Sequence, residues 1–153
     1  MIIRPAIDAD IPAILALWNP QIRDTTITLS SDERTAADVA QMMAVRRAAG
    51  QELFVADEHG ALLGLVTYRQ FRPGKGYAHS MGHTIVIGPD AWGRGVGRAL
   101  MVALEDHARL GGCHTMVAAV TAENERALAF HRALGYVDVG LLPEQGRKFD
   151  RWL

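Results

Sequence analysis

The chain has 153 residues, about half of them apolar, with 17 acidic against 16 basic side chains. That length encloses a hydrophobic core, and the near-balance of charge gives no footing for nucleic acid or an anionic membrane as partner. No apolar run approaches membrane-spanning length, and one cysteine, Cys113, forms no internal disulfide, which fits a reducing cytoplasm. Cys113 reads as a small buried residue entering a strand.

No repeat or linker divides the sequence, and one domain over 1–153 is expected. Met1-Ile2-Ile3-Arg4-Pro5 reads as a first strand. Ile11, Ile14, Leu15 and Trp18 then recur at helical spacing, with Asp8 or Asp10 placed to cap and Pro12 in the first turn. A second helix is predicted from Thr35, where Thr35 and Asp38 have capping-box spacing, to Gly50. Leu53–Asp57 and Leu62–Phe71 are β-rich runs joined by a hairpin signal at Glu58-His59-Gly60-Ala61. A loop at Arg72–Gly76 leads to a strand predicted over Tyr77–Ile87.

Beyond Ile87 the pattern becomes strand, helix, strand, helix, strand. Gly93–Gly97 opens a helix carrying Leu100, Leu104 and His107 on one side, and Gly111-Gly112 ends it. His114–Val120 reads as a strand, Ala127–Leu134 as a short helix stopped by Gly135, and Tyr136–Leu142 as a further strand. Antiparallel strands followed by this alternation predict a mixed α/β fold with helices packed on the sheet.

Trp92-Gly93-Arg94-Gly95-Val96-Gly97-Arg98 carries the chemistry. Glycines without Cβ let backbone N–H groups approach a ligand, and a helix N-terminus adds unpaired donors and partial positive charge. Together they suit a pyrophosphate, with Arg94 and Arg98 able to contact phosphate. A plain glycine turn entering a helix is the structural alternative. No Gly-Lys-Ser/Thr follows, and the spacing G-x-G-x-G past mid-chain is not that of a dinucleotide fold.

Thr84-Ile85-Val86-Ile87, the glycine turn and Arg98-Ala99-Leu100 resemble the coenzyme A-binding signature of GNAT acetyltransferases. A second signature runs from Asn124 through Phe130-His131 to Gly135-Tyr136. With Ile3-Arg4-Pro5-Ala6, Trp18-Asn19 and Asp24-Thr25-Thr26, the whole chain resembles the phosphinothricin and methionine sulfoximine acetyltransferase branch. The resemblance implies a mostly antiparallel sheet, splayed at the cofactor cleft and flanked by helices. It implies acetyl-coenzyme A as cosubstrate, a small amino-acid-like amine as acceptor, and a homodimer.

By the same resemblance, the backbone of Ile85, Val86 and Ile87 pairs with the pantetheine arm. The N–H groups of Gly93, Arg94, Gly95, Val96, Gly97 and Arg98 hold the pyrophosphate. Asn124 contacts the cofactor arm, or caps the helix it precedes. An N–H near Ile85 is the expected oxyanion donor, and His131 stands near the place where many relatives carry a tyrosine that protonates the thiolate. The alternative for His131 is packing on an apolar helix face.

The departures fall on the catalytic side. Gly82 occupies the place of the branch's usual glutamate, Ala78 replaces a common basic residue, and Trp92 opens the phosphate motif. His83 and His79 are then the candidate proton acceptors. Four residues of strand separate them by roughly 13 Å, too far to share a metal ion; none is expected. Other readings are an acyl-coenzyme A-binding protein of weak activity, or acetylation of another amine such as a protein N-terminus. Arg147–Leu153 resembles only the beginning of that family's last strand, implying a strand cut short.

Overall fold

A computed structural model describes residues 1–153. Five strands, β1 (Ile2–Pro5), β2 (Leu53–Glu58), β3 (Ala61–Gln70), β4 (Ser80–Ile87) and β5 (Thr115–Val117), form one sheet in sequence order. All neighbours are antiparallel except β4 and β5, which run parallel. The expected mixed, mostly antiparallel architecture is therefore present.

The period-2 alternation of the strands divides the core in two. On one face Leu53, Val55, Leu65 and Val86 pack under α1 (Ile11–Asp24) and α2 (Ala36–Ala48), which contribute Ile14, Trp18, Ile22, Val39 and Met43. On the other, Phe54, Ala56, Val66 and Tyr68 meet Val96, Leu100, Met101 and Leu104 of α3 (Val96–Leu110). A short helix, α4 (Glu125–Ala133), follows β5. No helix is long and apolar enough to cross a membrane.

Local chemistry explains the joints. Thr35 and Asp38 form the reciprocal capping box expected at the start of α2. His59 and Gly60, both at positive φ, make the two-residue turn between β2 and β3, the hand that matches strand twist. Asp10 precedes α1 without capping it by side chain. Its carboxylate instead accepts from the Ile7 N–H and from Arg4, which also grips Asp57. One guanidinium thus ties β1, the entry to α1 and the end of β2, and holds both carboxyls below their usual range.

Four boundaries differ from the sequence expectation. β4 starts at Ser80, because Lys75–Tyr77 coils into a 3-10 turn. β5 spans Thr115–Val117, far less than His114–Val120. Tyr136–Leu142 forms no strand, and Val137, Val139, Leu141 and Leu142 lie exposed. Alternation of apolar residues creates a face, but a strand also requires a hydrogen-bonding neighbour, and none adjoins this segment. At the end, β6 (Arg147–Lys148) and β7 (Arg151–Trp152) form a hairpin of two residues a side. Cys113 is half-buried, its thiol against the Thr115 carbonyl.

Gly64 is the tightest point of the sheet. A Cβ there would lie 2.8 Å from the Val86 carbonyl oxygen and 2.8 Å from Ile87 Cδ1. Backbone cannot yield as a side-chain tip can, so Gly64→Ala should destabilise the fold by about 1–3 kcal/mol. A lowered urea midpoint at unchanged slope is the expected result.

Candidate active site

β4 positions the site by having two unlike edges. The Phe71 N–H donates to the Ser80 carbonyl and the Gly88 N–H to the Leu63 carbonyl. Alternation between these ends turns the backbone groups of Ser80, Gly82, Thr84 and Val86 toward β3, and those of Met81, His83, Ile85 and Ile87 toward β5. Strand β5 pairs only with Ser80–Gly82. Past that point the two parallel strands part, and the N–H and C=O of Ile85 have no strand partner. The Ile87 carbonyl is taken by Gln21 Nε2 at 3.1 Å and Trp92 Nε1 at 3.3 Å. Of the three strand residues expected at the cleft, Val86 does not present its backbone there, since its amide and carbonyl face β3 and its side chain is core.

The glycine turn lies at the open end of this gap. Gly93 and Gly95 have φ of 74° and 79°, a left-handed geometry that a side chain would strain, and no atom stands within 4 Å of either missing Cβ. Gly95 is the N-cap of α3 and offers no side-chain acceptor. The first helical bond runs from the Ala99 N–H to the Gly95 carbonyl. The N–H groups of Val96, Gly97 and Arg98 therefore project from the helix end without helical partners.

Gly97 has a different reason to be glycine: its Cβ would meet Phe130 of α4 at 2.9 Å. It brings α3 and α4 together rather than shaping the loop. The two arginines are engaged away from the N–H groups. Arg94 pairs with Glu58 at 2.8 Å, and Arg98 donates to the Ala133 carbonyl. Arg126, which sequence reasoning passed over, stacks its guanidinium 3.9 Å from the centre of the Trp92 ring. Its position in the first turn of α4 was legible; its meeting with Trp92 depended on tertiary packing.

Asn124 caps α4, its side-chain oxygen accepting from the Ala127 N–H at 3.1 Å. About two turns after the cap, His131 is buried, with Nδ1 2.7 Å from the Ala127 carbonyl and Nε2 2.9 Å from His83 Nε2. A carbonyl only accepts, so His131 carries its proton on Nδ1. Its Nε2 lone pair then receives the His83 Nε2–H, and His83 Nδ1 is left bare and buried without a partner. Tyr136 meets both rings edge-on and donates to Glu105. Burial, helped by the neighbouring His131, pushes the His83 pKa down to about 4.

His79 does not join this pair. It lies exposed before β4, its Nδ1 2.8 Å from the Gly112 carbonyl, with the β4–β5 paired stretch between it and the gap. Of the two candidate proton acceptors, only His83 lies in β4 beyond the stretch paired with β5. No group of three or more His, Cys, Asp or Glu side chains converges on a point.

On the opposite face, toward α1 and α2, lies Gly82. Its missing Cβ would stand 3.1 Å from Phe71 Cδ2, so the Phe71 ring occupies the place of a side chain. Arg69 is its cross-strand partner.

A strand open on one edge, ending in a glycine turn and a bare helix N-terminus, suits a ligand with an amide-bearing arm and a phosphate group. The acetyltransferase (GNAT) family profile matches residues 13–136. The chain belongs to the acetyltransferase (GNAT) family. Over 99% of its length it is 37% identical to the L-methionine sulfoximine/L-methionine sulfone acetyltransferase of Pseudomonas paraeruginosa, covering 88% of that protein. A crystal structure of a ribosomal-protein-alanine N-acetyltransferase from Brucella melitensis superposes with a TM-score of 0.95 at 32% identity, covering 99% of this chain and 94% of that one. A GNAT phosphinothricin acetyltransferase from Sinorhizobium meliloti, in complex with acetyl-coenzyme A, gives 0.93 at 29% identity, covering 99% and 83%.

In this GNAT chain the depressed His83 pKa makes stability depend on pH. The unfolded chain takes up the proton near 6.5 and the folded chain only near 4. Between these values unfolding binds a proton, so stability is full above pH 6.5 and lost as the pH falls toward 4. By pH 5 the loss from this group is about 2 kcal/mol. Chemical denaturation from pH 7.5 to 5 should show it, and His83→Gln should flatten the curve across that window.

Proposed function

We propose that this acetyltransferase transfers acetyl from acetyl-coenzyme A to the amino group of a small amino-acid-like substrate. The observation that carries the reading is the free edge of β4 at Ile85, continuous with the two positive-φ glycines and bare N–H groups that open α3. Acetyl-coenzyme A supplies the acetyl group as an activated thioester. The Val96, Gly97 and Arg98 N–H groups would hold its pyrophosphate, and the Ile85 N–H and C=O its pantetheine amides. Gly93 and Gly95 leave room for both.

The chain's remaining tasks are electrostatic and protonic. A backbone N–H at Ile85 is fixed by the sheet before any ligand arrives, so donation to an oxygen gathering negative charge costs no reorganisation. The acceptor nitrogen must lose one proton and the departing sulfur must gain one. His83 is neutral near pH 7, with its Nε2–H bonded to His131. We assign the pair as the proton-handling group and Asn124 to setting α4, and through it His131, beside the gap. The exposed His79 is given no part.

Substrate class rests on likeness: the Pseudomonas relative is named for methionine sulfoximine and sulfone, and the Sinorhizobium structure for phosphinothricin. Protein N-terminal acetylation is the second reading, favoured by the Brucella neighbour's name. The Phe71-filled place at Gly82, where a glutamate was expected, favours a third, a weakly active binder of acyl-coenzyme A. Thiol release with L-methionine sulfone, phosphinothricin and an alanine-starting peptide separates the three.

Calorimetry should give acetyl-coenzyme A a Kd in the micromolar range. Gly95→Val should weaken it by about tenfold or more, because a branched residue resists the left-handed backbone and intrudes on the N–H groups. A folded protein that binds no acetyl-coenzyme A would sink the assignment. A second test addresses the histidines. His131→Ala should lower kcat by about 10²-fold or more while leaving the cofactor Kd unchanged. Intact turnover would make the pair a packing feature.

A further inference from the structure

Trp92 and Arg126 meet at the open end of the cleft, and both remain exposed. Trp92 directly precedes Gly93 of the glycine turn, and its Nε1–H donates to the Ile87 carbonyl at 3.3 Å. The ring is thereby fixed at the end of β4, on the edge from which β5 has departed. Arg126 reaches it from the chain that follows β5, in the first turn of α4, with its guanidinium carbon 3.9 Å from the ring centre. Packing sets this span. One turn after Arg126, on the same side of α4, Phe130 lies against Gly97 at the start of α3. The stacked pair therefore stands beside the Val96, Gly97 and Arg98 N–H groups that no helical carbonyl accepts.

Helix chemistry alone would not place a cation there. Free N–H groups give the first turn of a helix partial positive charge, so acids are favoured in it and bases disfavoured. Glu125 obeys that rule and Arg126 breaks it. Arg126 takes part in no salt bridge that would offset the misplacement. Stacking on Trp92 fixes the guanidinium plane and leaves its in-plane donors free. An exposed pair of this kind also adds little to the stability of the fold. A local rule broken without a gain in packing marks a residue kept for a ligand.

The surroundings say what charge that ligand carries. The unpaired N–H groups of α3, the amino end of α4 and the Arg126 guanidinium add their positive potentials at one mouth of the cleft. An anion among them is attracted by all three. A guanidinium edge also gives two parallel N–H bonds to a single phosphate, a fork that separate backbone N–H groups do not supply. Of the arginines near the turn, Arg94 is neutralised by Glu58 and Arg98 is turned to the Ala133 carbonyl. Arg126 has its edge available.

We propose that Arg126, held flat on the Trp92 ring, binds a phosphate group of the cofactor at the mouth of the cleft, the part that the sequence suggests for Arg94 and Arg98. This rests on the acetyltransferase reading above. Acetyl-coenzyme A offers two such groups, the pyrophosphate and the 3′-phosphate. Acetyl-pantetheine carries the same thioester and amide arm with neither, and the 3′-dephospho form keeps only the pyrophosphate. The ratio of the acetyl-pantetheine Kd to the acetyl-coenzyme A Kd, from calorimetry and displacement, measures what the phosphates contribute. Arg126→Gln should shrink that ratio by about tenfold, the worth of one charge-assisted contact. Arg126→Lys, which keeps the charge without the planar fork, should recover part of it.

A weakening shared by the dephospho form assigns the contact to the pyrophosphate, and one confined to intact acetyl-coenzyme A assigns it to the 3′-phosphate. Trp92→Leu should shrink the ratio by less, and should add nothing to Arg126→Gln, because the ring acts by holding the guanidinium plane. A ratio unmoved by Arg126→Gln overturns the proposal. Equal weakening of both thioesters leaves the ratio unmoved and overturns it too, since the effect would then run through α4 and not through a phosphate. Full additivity of the Trp92 and Arg126 substitutions also overturns it, because the ring would be binding the cofactor on its own account. Loss of the acetyltransferase reading is seen separately, as failure of the unaltered protein to bind acetyl-coenzyme A.

Discussion

β4 has a neighbour on both edges for only three residues. Everything distinctive about the site follows from that shortfall. Parallel pairing with β5 holds Ser80–Gly82, and the departure of β5 afterwards leaves backbone donors and acceptors at Ile85 open. Unpaired backbone groups inside a fold are costly unless something meets them. Here Gln21 and Trp92 meet the Ile87 carbonyl and close the gap at that end. Ile85, one step deeper, has no strand partner on that edge. The helix following the gap repeats the theme, with three N–H groups that no side chain caps.

Where local chemistry decides, the sequence could be read directly. The Thr35–Asp38 box, the His59-Gly60 turn and the left-handed Gly93 and Gly95 are each set by a few adjacent residues, and each stands where expected. Asn124 proved to be a cap by geometry. What depended on partners distant in sequence was not legible. Gly97 looked like a third loop glycine, yet its constraint is Phe130, thirty-three residues on. His79 and His83 looked equivalent as candidate bases, and only the strand's edge and the position of α4 separate them. Tyr136–Leu142 had the alternation of a strand but no neighbour to pair with.

Strand alternation also keeps two chemistries apart. Odd-numbered residues of β4 face α3 and α4, so His83 enters a desolvated place where its neutral form is favoured and its single proton is shared with His131. Even-numbered residues face α1 and α2, with Val86 in the core and Gly82 across the strand pair from Arg69. A one-residue slip in register would exchange these faces and bring an imidazole toward Arg69. The close approach at Gly64, between β3 and the Val86 carbonyl, opposes such a slip.

Gly82 and His83 turn to opposite faces of β4. A carboxylate at position 82 would stand across the strand pair from Arg69 and face the same side of the sheet. Beside that guanidinium it would be held ionised. With glycine there, Phe71 fills the space with an uncharged ring. The titratable group of this strand, His83, lies on its other face and shares a proton with His131.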